Sequence, residues 1–323
     1  MSGKLTVGRL LERMRDVLLL EQVTDGLGLE RPISNPEAHS PGLVLAGYTD
    51  RFTGTRIQVL GETEVSYLHS LDAERRECNL RRYFETAFPC IVVTKAQELP
   101  GGLERLATEH GVPILRSRLK TAEFYRRLKP FLEEEFAPTA TLHGSLADVF
   151  GVGLFFTGQS GIGKSECVLD LVERGHRLVA DDLVIVKRRG TDVLIARGHE
   201  LQRHHMEIRG VGLVDVPAIF GIRAVRQQKR IEVVVNLEMW DQDAVIDRTG
   251  LEVEETTILD VTLPRIRVPL NPGKNITVIA EVIAMNHLLA YSGVNTAEAF
   301  NQRLMGRMRR AVEVNRYLRE DDE

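Results

Sequence analysis

The sequence predicts an α/β protein of two domains, the second built around a phosphate-binding loop. Three observations carry this reading. The 323 residues exceed one comfortable domain on the rule of roughly 100–200 residues each. Short apolar runs alternate with helix-periodic stretches along the chain. The string GQSGIGKS at 158–165 stands between an apolar run, Val152–Thr157, and the periodic stretch ECVLDLVERGH.

Composition narrows the function classes. With 43% apolar and 27% charged residues, the chain has the make-up of a folded protein with sizeable cores. A net charge of −4 gives no general attraction to nucleic acid or to an anionic membrane surface. Cys78, Cys90 and Cys167 are odd in number and lack CxxC spacing, so neither a disulfide framework nor a zinc knuckle is predicted, and a reducing cytoplasm fits. The amino terminus lacks the residue order of a secretory signal, and VLLL is far shorter than the ~20 apolar residues a membrane span needs.

Taken in order, Val7, Leu10, Leu11, Met14, Val17 and Leu18 recur at helical spacing, with Thr6 placed to cap the helix. Strand-like runs follow: LVLAGY, RIQVLG, CIVVT and VPILRS, separated by Pro, Gly or charged segments. AQELPGGLERLATEHGVPIL has the rhythm of a parallel unit. AEFYRRLKPFLEEEFAP reads as a helix interrupted or bent at Pro130 and is the linker candidate, with domains expected at 1–133 and 134–323. Beyond it GLFFT, RLVADDLVIVKR, DVLIARG, IEVVVNLEMW and ITVIAEVIAM read as strands, ahead of a helical carboxyl terminus. No repeat or low-complexity tract appears.

Gly158, Gln159, Ser160, Gly161, Ile162, Gly163, Lys164 and Ser165 fit G-x-x-x-x-G-K-[ST] in the required strand-to-helix setting. Glycines let the loop curl its N–H groups toward phosphate oxygens, and the helix N-terminus adds positive potential. Lys164 is expected on the β- and γ-phosphates and Ser165 on Mg²⁺; the loop alone says only that a nucleoside triphosphate binds, since motors, switches and kinases share it. No N-K-x-D guanine reader is visible, which disfavours a GTPase switch.

Asp181 and Asp182 follow Lys164 by 17 and 18 positions at the end of an apolar strand, where an α/β sheet gathers its ligands. Two such acids can divide the work, one orienting the metal's water and one taking a proton from an attacking hydroxyl; an acidic surface turn is the plainer alternative. MEIRGVGLVDV at 206–216 offers Glu207 as a hard oxygen ligand and Arg209 as a phosphate contact. His199, Glu200, His204, His205 and Glu207 invite a zinc reading, but their spacing does not match H-E-x-x-H. His143 lies one strand's length before the loop and is either structural or beside the nucleotide. Arg248 in DRTG and the loop PLNPGKN, 269–275, either close over phosphate or are simple turns.

LHGSLADVFGVGLFFTGQSGIGKSE, ERGHRLVADD, EIRGVGLVDV and VPLNPGKN, in this order and spacing, resemble the HPr kinase/phosphorylase family. RPISNPEAHSPGLVLAGYTDRFTGTRIQVLGETEVSYL looks like its amino-terminal domain. The resemblance implies an N-terminal α/β domain followed by a P-loop kinase domain related to phosphoenolpyruvate carboxykinase. It implies ATP-dependent phosphorylation of a seryl residue of the phosphocarrier HPr, and phosphate-dependent dephosphorylation that releases pyrophosphate, in the control of carbohydrate metabolism. It implies active-site roles for His143, Lys164, Asp182 and Arg248, with Asp182 as base in one direction and acid in the other, and Mg²⁺ on Ser165 and Glu207. Met206, Glu207, Ile208, Arg209, Gly210, Val211, Gly212, Leu213, Val214 and Asp215 would serve both directions. Pro269, Leu270, Asn271, Pro272, Gly273 and Lys274 would serve mainly dephosphorylation, where Asn271 and Lys274 depart from the basic residue and Arg expected. A homohexamer is implied as the assembly. Two readings of other classes stand beside it: a nucleotide-gated binding module, and a kinase acting on a small molecule.

Overall fold

The computed structural model describes residues 5–50, 52–240, 254–270 and 275–293, with positions 303, 305 and 306. The chain divides into two units, Met1–Ala137 and Pro138–Glu323.

The first unit opens with α1 (Val7–Leu18), whose Thr6 side chain accepts from the Arg9 amide and whose Val7, Leu10, Met14 and Leu18 are buried. There follow β1 (Leu20–Gln22), β2 (Ala38–His39), α2 (Gly42–Leu45), β3 (Ile57–Leu60), α3 (Glu62–Ser70), α4 (Ala73–Phe84), β4 (Ile91–Val93), α5 (Leu103–Glu109), β5 (Ile114–Ser117) and α6 (Thr121–Phe136). The sheet order is β1-β5-β4-β3-β2, with β2 to β5 parallel and β1 antiparallel at the edge. Side chains alternate across it: Cys90 and Val92 face the core of α1 and α6, while Ile91 and Val93 face that of α3, α4 and α5. Helices on both faces explain why these strands read as unbroken apolar runs.

Two expectations fail here. LVLAGY is not a strand but the single turn α2, because Pro41 opens it and its carbonyl accepts from the Leu45 amide at 2.9 Å. The helix carrying Pro130 is not interrupted; its buried face of Phe124, Leu128 and Leu132 runs through the proline and holds both halves on the core.

The second unit comprises β6 (Thr139–His143), β7 (Ser145–Val149), β8 (Val152–Thr157), α7 (Lys164–Glu173), β9 (Arg177–Ala180), β10 (Leu183–Arg189), β11 (Val193–Gly198), β12 (His205–Ile208), β13 (Gly212–Asp215), α8 (Val216–Phe220), β14 (Lys229–Arg230), β15 (Val233–Met239), β16 (Glu254–Ile258), β17 (Val261–Leu270) and α9 (Ile276–Tyr291). A six-stranded sheet, β16-β17-β15-β8-β7-β9, has a parallel centre formed by β17, β15 and β8. A four-stranded antiparallel sheet, β14-β11-β10-β6, shares a core with one of its faces through Leu146, Phe155, Val184 and Leu194. On the other face lie α7, α9 and the β12–β13 hairpin, joined through Val168, Leu171, Met206, Val214 and Ala284.

ITVIAEVIAM is a helix, not a strand. A run apolar on all sides has no period to read, and its β-branched residues favour the wrong answer. Asn275 decides it locally by capping the helix through the Val278 amide at 3.1 Å. RLVADDLVIVKR is likewise not one strand: it breaks at Asp181 and Asp182 into β9 and β10, which belong to different sheets.

Two rungs tie α7 to α9. Thr277 Oγ1 donates to Asp170 Oδ2 at 3.4 Å. Four residues on, Arg174 forks onto Glu281 at 2.7 and 2.9 Å, joined by His176 at 3.0 Å. Because both numbers rise together, the helices run parallel and present their N-termini toward the same end of the sheet.

Candidate active site

The site starts where β8 ends. Gly158, with φ of 139°, turns the chain so close to β15 that a Cβ there would collide with the Leu237 carbonyl oxygen. The loop then feeds α7, and Lys164 Nζ donates to the Gly158 and Gln159 carbonyls at 3.1 and 2.9 Å. This holds the ammonium over the loop that the motif assigns to phosphate.

Ser165, in the first turn of α7, points to the end of β9. Its hydroxyl donates to Asp181 Oδ1 at 3.0 Å, and Ser145 at the start of β7 donates to the same oxygen. Asp181 is 5% exposed. Burial pushes its carboxyl above the usual carboxylate range, and the serine donors and the Asp182 backbone amide only partly offset this. A hydroxyl beside a buried carboxylate is a hard-oxygen pair of the kind Mg²⁺ takes. Ser145 escaped the sequence reading; its signal is its position two residues after His143.

Asp182 faces the other way. Its φ of 62° is left-handed, a conformation aspartate tolerates better than most residues, so consecutive carboxylates leave the turn on opposite sides. The Asp182 side chain is 62% exposed, and Oδ1 lies 3.7 Å from His143 Nδ1. His143 arrives there because β6 and β10 pair with His143 opposite Leu183, and Gly144 N donates to the Asp182 carbonyl at 3.1 Å. One residue of the acidic pair is thus locked to the phosphate-loop helix, and the other stands free beside a histidine.

The β12–β13 hairpin forms a further wall. Met206, Ile208, Val214 and Val216 are buried beneath it, which by the strand period of two turns Glu207 and Leu213 outward. At its tip the Arg209 guanidinium lies against Gly161, where a Cβ would meet it. Glu207 is exposed and makes no ion pair among the described residues. Nor do the described residues include any group of three His, Cys, Asp or Glu set to hold a metal ion, the stretch from His199 to Glu207 included.

Pro269 and Leu270 close β17. Asn236 on β15 is level with both Thr157 and Arg267, so Leu270 ends three residues beyond the level of Thr157, the last residue of β8, at the same edge. Arg248, Asn271, Pro272, Gly273 and Lys274 lie outside the described residues.

The buried state of Asp181 has a consequence for stability. A carboxyl whose folded pKa is raised stabilises the fold while protonated and loses that contribution as pH rises through the raised value. Asp181→Asn keeps the oxygen that accepts from the serines and removes the charge. In metal-free buffer at pH 7 it is expected to raise the thermal transition of residues 138–323. The gain should vanish below the ordinary carboxylate range, where the wild-type carboxyl is already neutral. Calorimetry across pH checks it; an unchanged or lowered transition at pH 7 would contradict it.

Residues 134–304 match the model described as HPr Serine kinase C-terminal domain, and residues 5–132 the one described as HPr Serine kinase N terminus. HPr kinase/phosphorylase of Chloroherpeton thalassium is 49% identical over 289 residues, 88% of this chain and 84% of that protein. The Bacillus mycoides protein of the same name is 44% identical over 286 residues, 88% of this chain and 93% of that one. The solved structure of the Hpr(Ser) kinase/phosphatase from Coxiella burnetii aligns with a TM-score of 0.46 at 30% identity, covering 50% of this chain and 98% of that one.

Proposed function

The chain belongs to the HPr kinase/phosphorylase family, and from that premise we propose that it moves a phosphoryl group between ATP and a seryl oxygen of the phosphocarrier HPr, in both directions, at the phosphate loop. The observation that carries the assignment of roles is the hydrogen bond from Ser165 to Asp181, because it leaves Asp182 as the free carboxylate of the pair.

In the forward direction ATP binds with its phosphates along 158–165. The incoming serine hydroxyl gives its proton to Asp182 while its oxygen bonds to the γ-phosphorus and the bond to the β-phosphate oxygen breaks, releasing ADP. Lys164 and Arg248 balance the charge gathering on the transferred group. His143, 3.7 Å from Asp182, orients that carboxylate or the phosphate beside it. In the other direction an oxygen of inorganic phosphate attacks phosphoserine. The P–Oγ bond breaks, protonated Asp182 returns its proton to the serine oxygen, and pyrophosphate leaves. Mg²⁺ would supply neutralising charge on the phosphates; Ser165, Asp181 and Glu207 are the oxygen donors proposed to hold it. Among the described residues no helix is long and apolar enough to cross a membrane.

The test is to incubate the full chain with γ-labelled ATP and HPr and to locate the label. Phosphoserine on HPr, removed again with formation of pyrophosphate when phosphate is added, is the expected result. Label on a metabolite, or nucleotide binding with no transfer, would replace this reading with one of the other two classes. Sedimentation tests the homohexamer that the family resemblance implies.

A further inference from the structure

Resting on that reading, we propose that Ser145 is a positioning residue for the Mg²⁺ of the phosphate loop: its hydroxyl holds the Asp181 carboxylate in the orientation that lets Asp181 and Ser165 meet the ion together. Ser145 is 1% exposed and Asp181 5%. Buried to that degree, the serine does not itself meet nucleotide or acceptor protein. Its hydroxyl proton goes to Asp181 Oδ1, the same oxygen that accepts from Ser165. Any influence it has on the reaction passes through that carboxylate.

The contact forms where two chain segments change sheet side by side. β6 pairs with β10 in the four-stranded sheet, with His143 opposite Leu183, and β7 pairs with β9 in the six-stranded sheet, with Leu146 opposite Ala180. Between these two registers Gly144 and Ser145 on one segment meet Asp181 and Asp182 on the other. Three consecutive residues each hold one part of the acidic pair. His143 stands 3.7 Å from the Asp182 carboxylate, the Gly144 amide donates to the Asp182 carbonyl at 3.1 Å, and Ser145 donates to the Asp181 carboxylate.

Two anchors then tie Asp181 to the phosphate loop. Ser145 pairs with Phe156, two residues ahead of Gly158, so it is fixed to the strand that enters the loop. Ser165 lies in the first turn of the helix that leaves it. A carboxylate held from the helix alone can turn about its Cβ–Cγ bond, and a second donor from the strand side removes that freedom. Hydrogen bonds of this kind, made to a metal's ligand rather than to the metal, are worth about 10–100-fold in metal affinity. A donor that only satisfied a buried carboxylate could sit on any neighbouring segment. This one is built into the stem of the loop that takes the phosphates.

Ser145→Ala tests the proposal on the full chain, with Ser145→Cys beside it, since cysteine nearly fills the serine's space but is a weak donor. The measurement is equilibrium binding of a non-hydrolysable ATP analogue, without HPr, in EDTA and in saturating Mg²⁺. The factor by which Mg²⁺ tightens binding is expected to fall about tenfold or more, while affinity in EDTA stays within about twofold of wild type. A serine with a merely structural role would shift both conditions alike, and that result overturns the proposal. So does an unchanged Mg²⁺ factor in the alanine variant, or in the cysteine variant should alanine not fold; either result leaves the function standing. A wild type whose binding ignores Mg²⁺ overturns the assigned metal donors and this inference with them. A wild type that leaves HPr unlabelled overturns the functional reading separately, because the binding measurement uses no acceptor protein.

Discussion

Asp182→Asn is expected to lower the rate of seryl phosphorylation by about 10²–10⁴ while leaving ATP affinity within about twofold, the range a positioned general base contributes. Asparagine keeps the size of the side chain and the left-handed backbone of the turn but cannot take the hydroxyl proton. The nucleotide contacts are proposed for the 158–165 loop, whose lysine is held by hydrogen bonds to the Gly158 and Gln159 carbonyls rather than to Asp182. The dephosphorylating direction should fall alongside, because the same carboxyl is proposed to return the proton. Single-turnover transfer from labelled ATP, with equilibrium binding of the nucleotide measured separately, decides the matter. Full phosphoserine formation by the variant would remove Asp182 from the chemistry, and loss of nucleotide binding would make its role structural.

The second large effect is expected in the sheet. At Gly153 in β8 an added Cβ would overlap the carbonyl oxygen of Arg230, where the approach to β15 crosses over the strand. The crossing is pinned on both sides: the Gly153 amide donates to the Glu232 carboxylate, and its carbonyl accepts from the Glu232 amide at 3.0 Å. The obstacle is backbone, so no rotamer change relieves it. Gly153→Ala is expected to cost about 1–3 kcal/mol or more and to lower the melting transition of the second unit, with reduced soluble yield. Urea unfolding followed by tryptophan fluorescence and calorimetry measures it; a variant as stable as wild type would mean that the strands separate freely at this point.

These two positions show which parts of the molecule could be read from residues alone. The phosphate loop is legible because its chemistry is local: glycine spacing, lysine and hydroxyl sit on one strand–turn–helix unit. The acidic pair is legible as a pair, but not as two roles. What separates Asp181 from Asp182 is a serine 36 residues upstream and a left-handed residue at the strand break, both matters of tertiary packing. Gly153 gives no signal at all, since an ordinary strand glycine and one facing a carbonyl look alike in a sequence. The misreading of α9 has the opposite cause: apolar on every side and rich in isoleucine and valine, it carries a strand's composition in a helix's length. The contact of Arg209 with Gly161 joins residues 48 positions apart that no spacing rule connects.

The paired rungs between α7 and α9 carry a mechanical implication. A helix transmits axial displacement as a stiff rod, and two attachments one turn apart suppress both sliding and pivoting of its neighbour. If binding of a nucleotide draws Lys164 and Ser165 along the axis of α7, then Asp170 and Arg174 must haul Thr277 and Glu281 with them. Tyr291, 14 residues and about 21 Å beyond the first rung at Thr277, would then shift with α7 although it touches no part of that helix's first turn.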